Sequence, residues 1–115
     1  AGLPTWIHEG FAQLLERGRI QTPETERIEQ GIAARTLWIP LKWLDRHFAQ
    51  PTGLDDVARA YIEARVVVHE LLRLYGTDRW KTFCQRLSSG TPVEAAFDEV
   101  FAPSTWARVD QGVFE

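Results

Sequence analysis

The sequence has few of the features that mark disulfide-rich, membrane-spanning or nucleic-acid-binding proteins. Cys84 is the only cysteine in 115 residues, so no disulfide can form within the chain. No apolar run approaches the roughly 20 residues that cross a bilayer, and no segment has the charged and apolar regions of a signal peptide. Acidic and basic residues are interspersed, with a formal net charge of −3 and no basic stripe. This pattern argues against a nucleic-acid partner.

The sequence also contains no methionine and begins at Ala1, directly before a patterned segment. We therefore expect a processed or trimmed piece of a longer protein. The apolar fraction of 44% and charged fraction of 25% are ordinary for a globular protein. Because the length suits one domain, we expect residues 1–115 to form a single helical domain. The lone thiol does not decide the compartment.

Helical spacing of apolar residues dominates the chain, and strand signals are almost absent. Prolines suited to a first helical turn and glycines suited to a stop divide it into segments, Gly18 ending the first of them. The strongest segment runs from Asp55 to Tyr75 and should end at Gly76. Thr91-Pro92-Val93-Glu94 predicts a capping box with proline at the first helical position. The predicted fold class is all-α, an irregular bundle of six or seven helices.

The segment Leu3 to Glu16 reads L-P-T-W-I-H-E-G-F-A-Q-L-L-E. It resembles the second zinc-ligand helix of gluzincin metallopeptidases, whose pattern is W-L-x-E-G-x-A-x-Y-x-E. The identical positions are Trp6, Glu9, Gly10, Ala12 and Glu16. The resemblance implies that Glu9 is the third zinc ligand, beside two His of an H-E-x-x-H helix. It also implies that Gly10 lets a neighbouring helix approach closely.

A second segment, Tyr61 to Gly76, reads Y-I-E-A-R-V-V-V-H-E-L-L-R-L-Y-G. It is similar to the gluzincin helix that begins with Tyr, has a small residue three positions on and ends at Gly. In aminopeptidase-like members that Tyr donates a hydrogen bond to the oxyanion as the peptide carbonyl is attacked, so the resemblance implies a catalytic role for Tyr61. The likeness to the peptidase-MA-like branch continues at Tyr75, Gly76, Trp80, Phe83, Leu87, Gly90 and Ala96.

The family's H-E-x-x-H helix is absent from this sequence. His8-Glu9 has Ala12 at the second histidine position, and His69-Glu70 has Arg73 there, which cannot bind zinc. The resemblance therefore implies the C-terminal helical part of a zinc peptidase, whose missing N-terminal half carries H-E-x-x-H. The resemblance implies zinc and a peptide or protein substrate for the whole protein. This piece alone is expected neither to bind zinc tightly nor to cleave peptides.

Other interpretations remain open. Glu9 could be an ordinary surface acid, and Tyr61 a core tyrosine with a satisfied hydroxyl. His8, next to the predicted ligand, is either a substrate contact or a surface histidine. The chain could also be a non-catalytic peptidase-like scaffold, or an unrelated helical protein-interaction module. A trimmed half should expose an apolar face, or hide it by self-association; residues 38–44 are either core or part of that face. Export or membrane association of the whole protein stays undecided.

Overall fold

The computed structural model describes residues 3–16 and 21–114. All regular secondary structure within these ranges is helical, which confirms the predicted all-α class. Six helices occur in the described part of the chain: α1 Thr5–Leu15, α2 Pro23–Ala33, α3 Leu41–Ala49, α4 Leu54–Ser88, α5 Val93–Val100 and α6 Trp106–Asp110. None of these helices combines the length and the apolar character that crossing a membrane requires.

Helix α4 is the centre of the fold and packs against α1, α2, α3 and α5. Ala64, Val68 and Leu71 of this helix have no exposed surface and belong to the core. Gly76 has a φ of 84°, in the left-handed region that favours glycine. The predicted stop at Gly76 is therefore a kink, after which the chain returns at once to helix and continues to Ser88.

Helix α1 crosses α4 at Gly10, where the sequence resemblance implied a close approach. A Cβ atom on Gly10 would lie 2.4 Å from the carbonyl oxygen of Ala64 and 2.6 Å from Cγ2 of Val68. Those separations are too short for real side chains, so at this distance between the helices only glycine fits. Glu9 precedes Gly10 and Tyr61 lies three residues before Ala64, so both are close to this crossing in sequence.

Three helix N-termini are capped by aspartates that belong to other helices. The backbone N–H groups of Thr5 and Trp6 donate to the two carboxylate oxygens of Asp45, in α3, at 3.0 and 2.8 Å. Two further pairs have the same arrangement: Lys42 N with Asp110 Oδ1 at 2.8 Å, and Trp106 N with Asp98 Oδ1 at 2.7 Å. These bonds satisfy N–H groups that the first turn of a helix leaves free, and they fix where α1 and α3 begin.

The predicted capping box at Thr91 is wrong. Helix α5 begins at Val93, with Pro92 as its N-cap residue and no side-chain cap. Thr91 belongs instead to the end of the preceding helix, because its N–H donates to the carbonyl oxygen of Arg86 at 3.0 Å. Side-chain caps are found at two other threonines, Thr22 and Thr105. Gly18, the predicted end of the first helix, lies outside the described residues.

Replacing Gly10 by alanine should destabilise the protein, because the added methyl group would push α1 away from the backbone of α4. Alanine favours a helix over glycine by about 1 kcal/mol, but an extra carbon forced into a packed contact costs about 1–3 kcal/mol. Since the nearest atom is backbone and cannot move aside, we expect the free energy of unfolding in urea to fall by about 2 kcal/mol.

Gly53→Ala is the matched control, because a Cβ at Gly53 meets nothing within 4 Å. Gly53 is the N-cap residue of α4, where alanine is less favourable than glycine, so this control should lose less than about 1 kcal/mol. A Gly10→Ala variant as stable as Gly53→Ala would contradict the close approach of α1 and α4.

Candidate functional site

A cleft with a volume of about 310 Å³ lies between α1, α2 and the first half of α4. Its described lining residues are Glu9, Gln13, Glu16, Gln21, Thr25, Glu29, Ala58, Tyr61, Ile62 and Arg65. The predicted zinc ligand Glu9 and the predicted catalytic Tyr61 therefore line one cleft, from two helices that are far apart in the sequence.

Glu9 is half-buried on the cleft side of α1. Its backbone carbonyl oxygen accepts a hydrogen bond from the side chain of Gln13. Its carboxylate, by contrast, has no ion pair or hydrogen bond with any residue in the ranges 3–16 and 21–114. The carboxylate is therefore available to a cation or a hydrogen-bond donor that enters the cleft.

Tyr61 lies at the edge of the core, with 37% of its surface exposed. Its ring packs edge-on against Phe48, with the ring centroids 4.9 Å apart. Its backbone carbonyl oxygen accepts a hydrogen bond from Nε2 of Gln13 at 2.7 Å. Within the described part of the chain the hydroxyl has no hydrogen-bond partner. The position is therefore more exposed than that of a core tyrosine, and no described residue competes for the O–H as a donor.

Arg65 is a cleft residue that the sequence analysis did not single out. It stands one helical turn after Tyr61 on α4, and its Nη2 lies 3.2 Å from Oε1 of Glu29, in α2. Its Nε is buried without a hydrogen-bond partner among the described residues. The spacing of four residues from Tyr61 could have identified it, because residues at that spacing share a helix face. Arg65 gives the cleft a cationic group beside its carboxylates.

His8 does not share the cleft with Glu9. It is exposed and lines a second groove of about 320 Å³, formed mostly by apolar residues: Leu3, Ile7, His8, Phe11, Ala12, Leu15, Trp80 and Cys84. Adjacent residues on a helix point about 100° apart, which accounts for the separation of His8 from Glu9. A role for His8 in substrate binding stays a prediction, and it would act from this second groove.

The second groove also contains an exposed apolar stripe on α1. Leu15 is 70% exposed and Phe11 is 37% exposed, and the Phe11 ring stacks on Trp80 with the centroids 6.1 Å apart. Residues 38–44, the other candidate for an exposed face, belong mainly to the core; only Trp43 of their large apolar side chains is strongly exposed. Phe11 and Leu15 are therefore the exposed apolar residues of this groove, whereas most of residues 38–44 are part of the core.

The histidine–glutamate pair on α4 lacks the second histidine of H-E-x-x-H. Arg73, at the second ligand position of His69-Glu70-Leu71-Leu72-Arg73, forms an ion pair with Glu70 at 2.8 Å. That hydrogen bond lowers the pKa of Glu70. Among the residues that the structure describes, no group of three His, Cys, Asp or Glu side chains is arranged to hold a metal ion. Of the ligands that the resemblance implies, this part of the chain contains Glu9.

Glu63 is a buried acid that the sequence analysis missed. Its Oε1 accepts a hydrogen bond from the backbone N–H of Ile39 at 2.6 Å, and its Oε2 has no partner in the described structure. Burial raises the pKa of Glu63 to about 8, although the Ile39 N–H and the charges of Arg59 and Arg35 favour the ionised form. Glu63 faces residues 38–40 rather than the cleft, so it joins that segment to α4. An acidic residue at helical spacing from buried apolar residues of α4 was its signal in the sequence.

The comparisons with known proteins assign no family. No protein-family model matches this chain, and neither a curated protein nor a solved structure matches it. The likeness to gluzincins therefore depends on the two sequence motifs. What the structure adds is the position of Glu9 and Tyr61 at one cleft.

Glu63 should make the protein less stable as the pH rises from about 4.5 to about 8. The pKa of Glu63 has its ordinary value of 4.5 in the unfolded chain and is about 8 in the folded protein. Between these two pH values the folded state therefore binds a proton that the unfolded state releases. The contribution to stability is complete below pH 4.5 and declines by as much as about 1.4 kcal/mol per pH unit until the folded group ionises. Urea unfolding at pH 5 and pH 8 measures this decline.

Glu63→Gln should remove that dependence, so the variant gains stability relative to the natural chain between pH 5 and pH 8. Glu26→Gln, at an exposed position of α2, is the control and should keep the natural pH dependence. If Glu63→Gln and the natural chain show parallel pH profiles, Glu63 is not protonated in the fold at neutral pH.

Proposed function

We propose that this chain is the C-terminal helical part of a zinc-dependent peptidase of the gluzincin type. In the whole protein, Glu9 would be the third zinc ligand and Tyr61 would stabilise the oxyanion. The observation that carries the proposal is that Glu9 and Tyr61, singled out by two separate motifs, line the same cleft. A chance likeness at two distant segments gives no reason for the two residues to line one cleft.

The state of Glu9 suits a metal ligand. Carboxylate oxygen is a normal zinc ligand, and a His₂Glu set leaves one position open for water or substrate. Since no described residue pairs with the Glu9 carboxylate, it could bind a cation without breaking an ion pair. When bound, zinc supplies a Lewis acid and lowers the pKa of a water molecule. This chain's contribution is to orient one ligand from a rigid helix.

The state of Tyr61 suits an oxyanion donor. A phenol is a neutral hydrogen-bond donor that keeps its proton under ordinary conditions. The edge-on contact with Phe48 limits rotation of the ring, and the hydroxyl is free of partners in the described structure. It can therefore donate to a peptide carbonyl oxygen as that oxygen gains negative charge, an interaction that grows stronger in the transition state.

The rest of the site would come from the missing N-terminal half. Two histidines and a general-base glutamate belong to H-E-x-x-H, in which the histidines share one helix face. We expect that motif about 20 to 30 residues before Glu9 in the full-length protein. The substrate would be a peptide or a protein. Alone, this chain should bind zinc weakly and cleave no peptide.

A second candidate is a non-catalytic scaffold or interaction module, favoured by the exposed Phe11 and Leu15 beside Trp80. Contiguous exposed apolar surface marks interaction sites. A full-length sequence without H-E-x-x-H would support this candidate against the peptidase. Sedimentation experiments would show whether the chain self-associates and whether Leu15→Glu abolishes the association. Such a result would identify the apolar stripe as a self-association surface, but it would not by itself decide between the two functions.

Two substitutions in the full-length protein should separate the roles of Glu9 and Tyr61. Glu9→Gln should weaken zinc binding by more than about 100-fold, since loss of groups that merely support a ligand already costs about 10–100-fold. Tyr61→Phe should retain zinc and lower kcat by about 100- to 1,000-fold, the usual loss for one oxyanion donor. Zinc content and peptide hydrolysis are the measurements.

Glu94→Gln, at an exposed position on α5, is the control and should keep both zinc and activity. Full zinc occupancy in Glu9→Gln would exclude Glu9 as a ligand. Unchanged turnover in Tyr61→Phe would exclude the oxyanion role even if Glu9 binds zinc.

A further inference from the structure

The side-chain amide of Gln13 joins the backbones of the two proposed site residues. Its Nε2 donates to the carbonyl oxygen of Glu9 at 3.2 Å and to the carbonyl oxygen of Tyr61 at 2.7 Å. An amide nitrogen carries two hydrogens, so both bonds can exist at the same time. The bridge therefore connects α1 to α4 at the two residues that line the cleft.

This bridge supplies a constraint that the Gly10 contact lacks. The contact of Gly10 with Ala64 limits how closely α1 approaches α4. Apolar packing is not directional, whereas a hydrogen bond loses strength steeply when its angle or length changes. A bond from Gln13 to Tyr61, one turn away from that contact, resists sliding and rotation of α1 along α4.

We infer that Gln13 is a positioning residue of the proposed site, an inference that depends on the proposed function. Gln13 touches no reacting atom. It keeps the distance and orientation between the Glu9 carboxylate and the Tyr61 hydroxyl constant. The metal ligand on α1 and the hydrogen-bond donor on α4 can then act on the same substrate carbonyl. A misplacement of about 1 Å in such an arrangement can lower the rate about 100-fold.

Three substitutions of Gln13 in the full-length enzyme test the inference. Gln13→Met removes both donors but keeps a long, flexible side chain that favours a helix. Gln13→Lys restores donors, because an ammonium group has three. Gln13→Asn is one methylene shorter and cannot reach both carbonyl oxygens, which keeps the test open if Gln13→Met fails to fold. Gln85→Met, an exposed glutamine near the end of α4, is the matched control.

The expected result is a loss of function that exceeds the loss of stability. Gln13→Met and Gln13→Asn should lower kcat of the zinc-loaded enzyme by about 10- to 100-fold, the range seen when a supporting contact of a metal ligand is removed. KM should change less than kcat, Gln13→Lys should recover most of the activity, and Gln85→Met should match the natural enzyme. A lower unfolding temperature with unchanged kcat and zinc affinity would overturn the positioning role.

Glu9→Gln, measured in parallel, keeps the two proposals distinguishable. If Glu9→Gln retains zinc, the proposed function fails, and the role of Gln13 fails with it. If Glu9→Gln loses zinc while Gln13→Met matches the natural enzyme in kcat and zinc affinity, only the positioning role is overturned. If Glu9→Gln loses zinc and Gln13→Met loses activity, and if Gln13→Lys recovers the activity, the results support both the proposed function and the positioning role of Gln13.

Discussion

The contact between Gly10 and the backbone of Ala64 determines how the rest of the candidate site is built. Because Gly10 has no side chain, the backbone of α1 packs directly against the carbonyl oxygen of Ala64 in α4. Glu9 and Tyr61 are then near enough to line one cleft. A larger residue at position 10 would clash with the Ala64 carbonyl oxygen and with Val68, so the two helices would have to separate. The absence of a side chain at Gly10 therefore influences the spacing between Glu9 on α1 and Tyr61 on α4.

The placement of α1 also depends on polar groups that belong to other helices. Asp45 accepts hydrogen bonds from the N–H groups of Thr5 and Trp6, which fixes the start of α1 against α3. Gln13 then ties the middle of α1 to α4. Both bonds are directional, and they act on opposite sides of the Gly10 contact along the helix. Packing sets the distance between α1 and α4, and these two bonds set the position of α1 along its axis.

The sequence predicted the features that depend on local pattern. The all-helical class and the proline at the start of α2 follow from residue type and spacing. An interruption at Gly76 does too, although it is a kink and not the predicted helix end. The close approach at Gly10 was implied by the family resemblance. The features that it did not predict depend on partners distant in the chain. Nothing near Asp45 or Glu63 in the sequence indicates that they accept hydrogen bonds from Thr5 and Ile39. The capping box predicted at Thr91 does not form, because the Thr91 N–H donates to the carbonyl oxygen of Arg86 at the end of α4. The separation of His8 from Glu9 follows from local geometry, since neighbours on a helix diverge by about 100°.

A perturbed pKa often marks a functional site, yet here it marks a structural one. Burial raises the pKa of Glu63 to about 8. This favours the neutral carboxyl group near neutral pH, and a neutral carboxyl group is a poor ligand for a cation. Glu9, by contrast, is half-buried, faces the cleft and has no side-chain partner among the described residues. One short stretch of α4 thus serves two neighbours: Tyr61 and Arg65 face the cleft, whereas Glu63 faces the segment before α3. Because these residues point in different directions from α4, Glu63 can stabilise residues 38–40 without occupying the cleft.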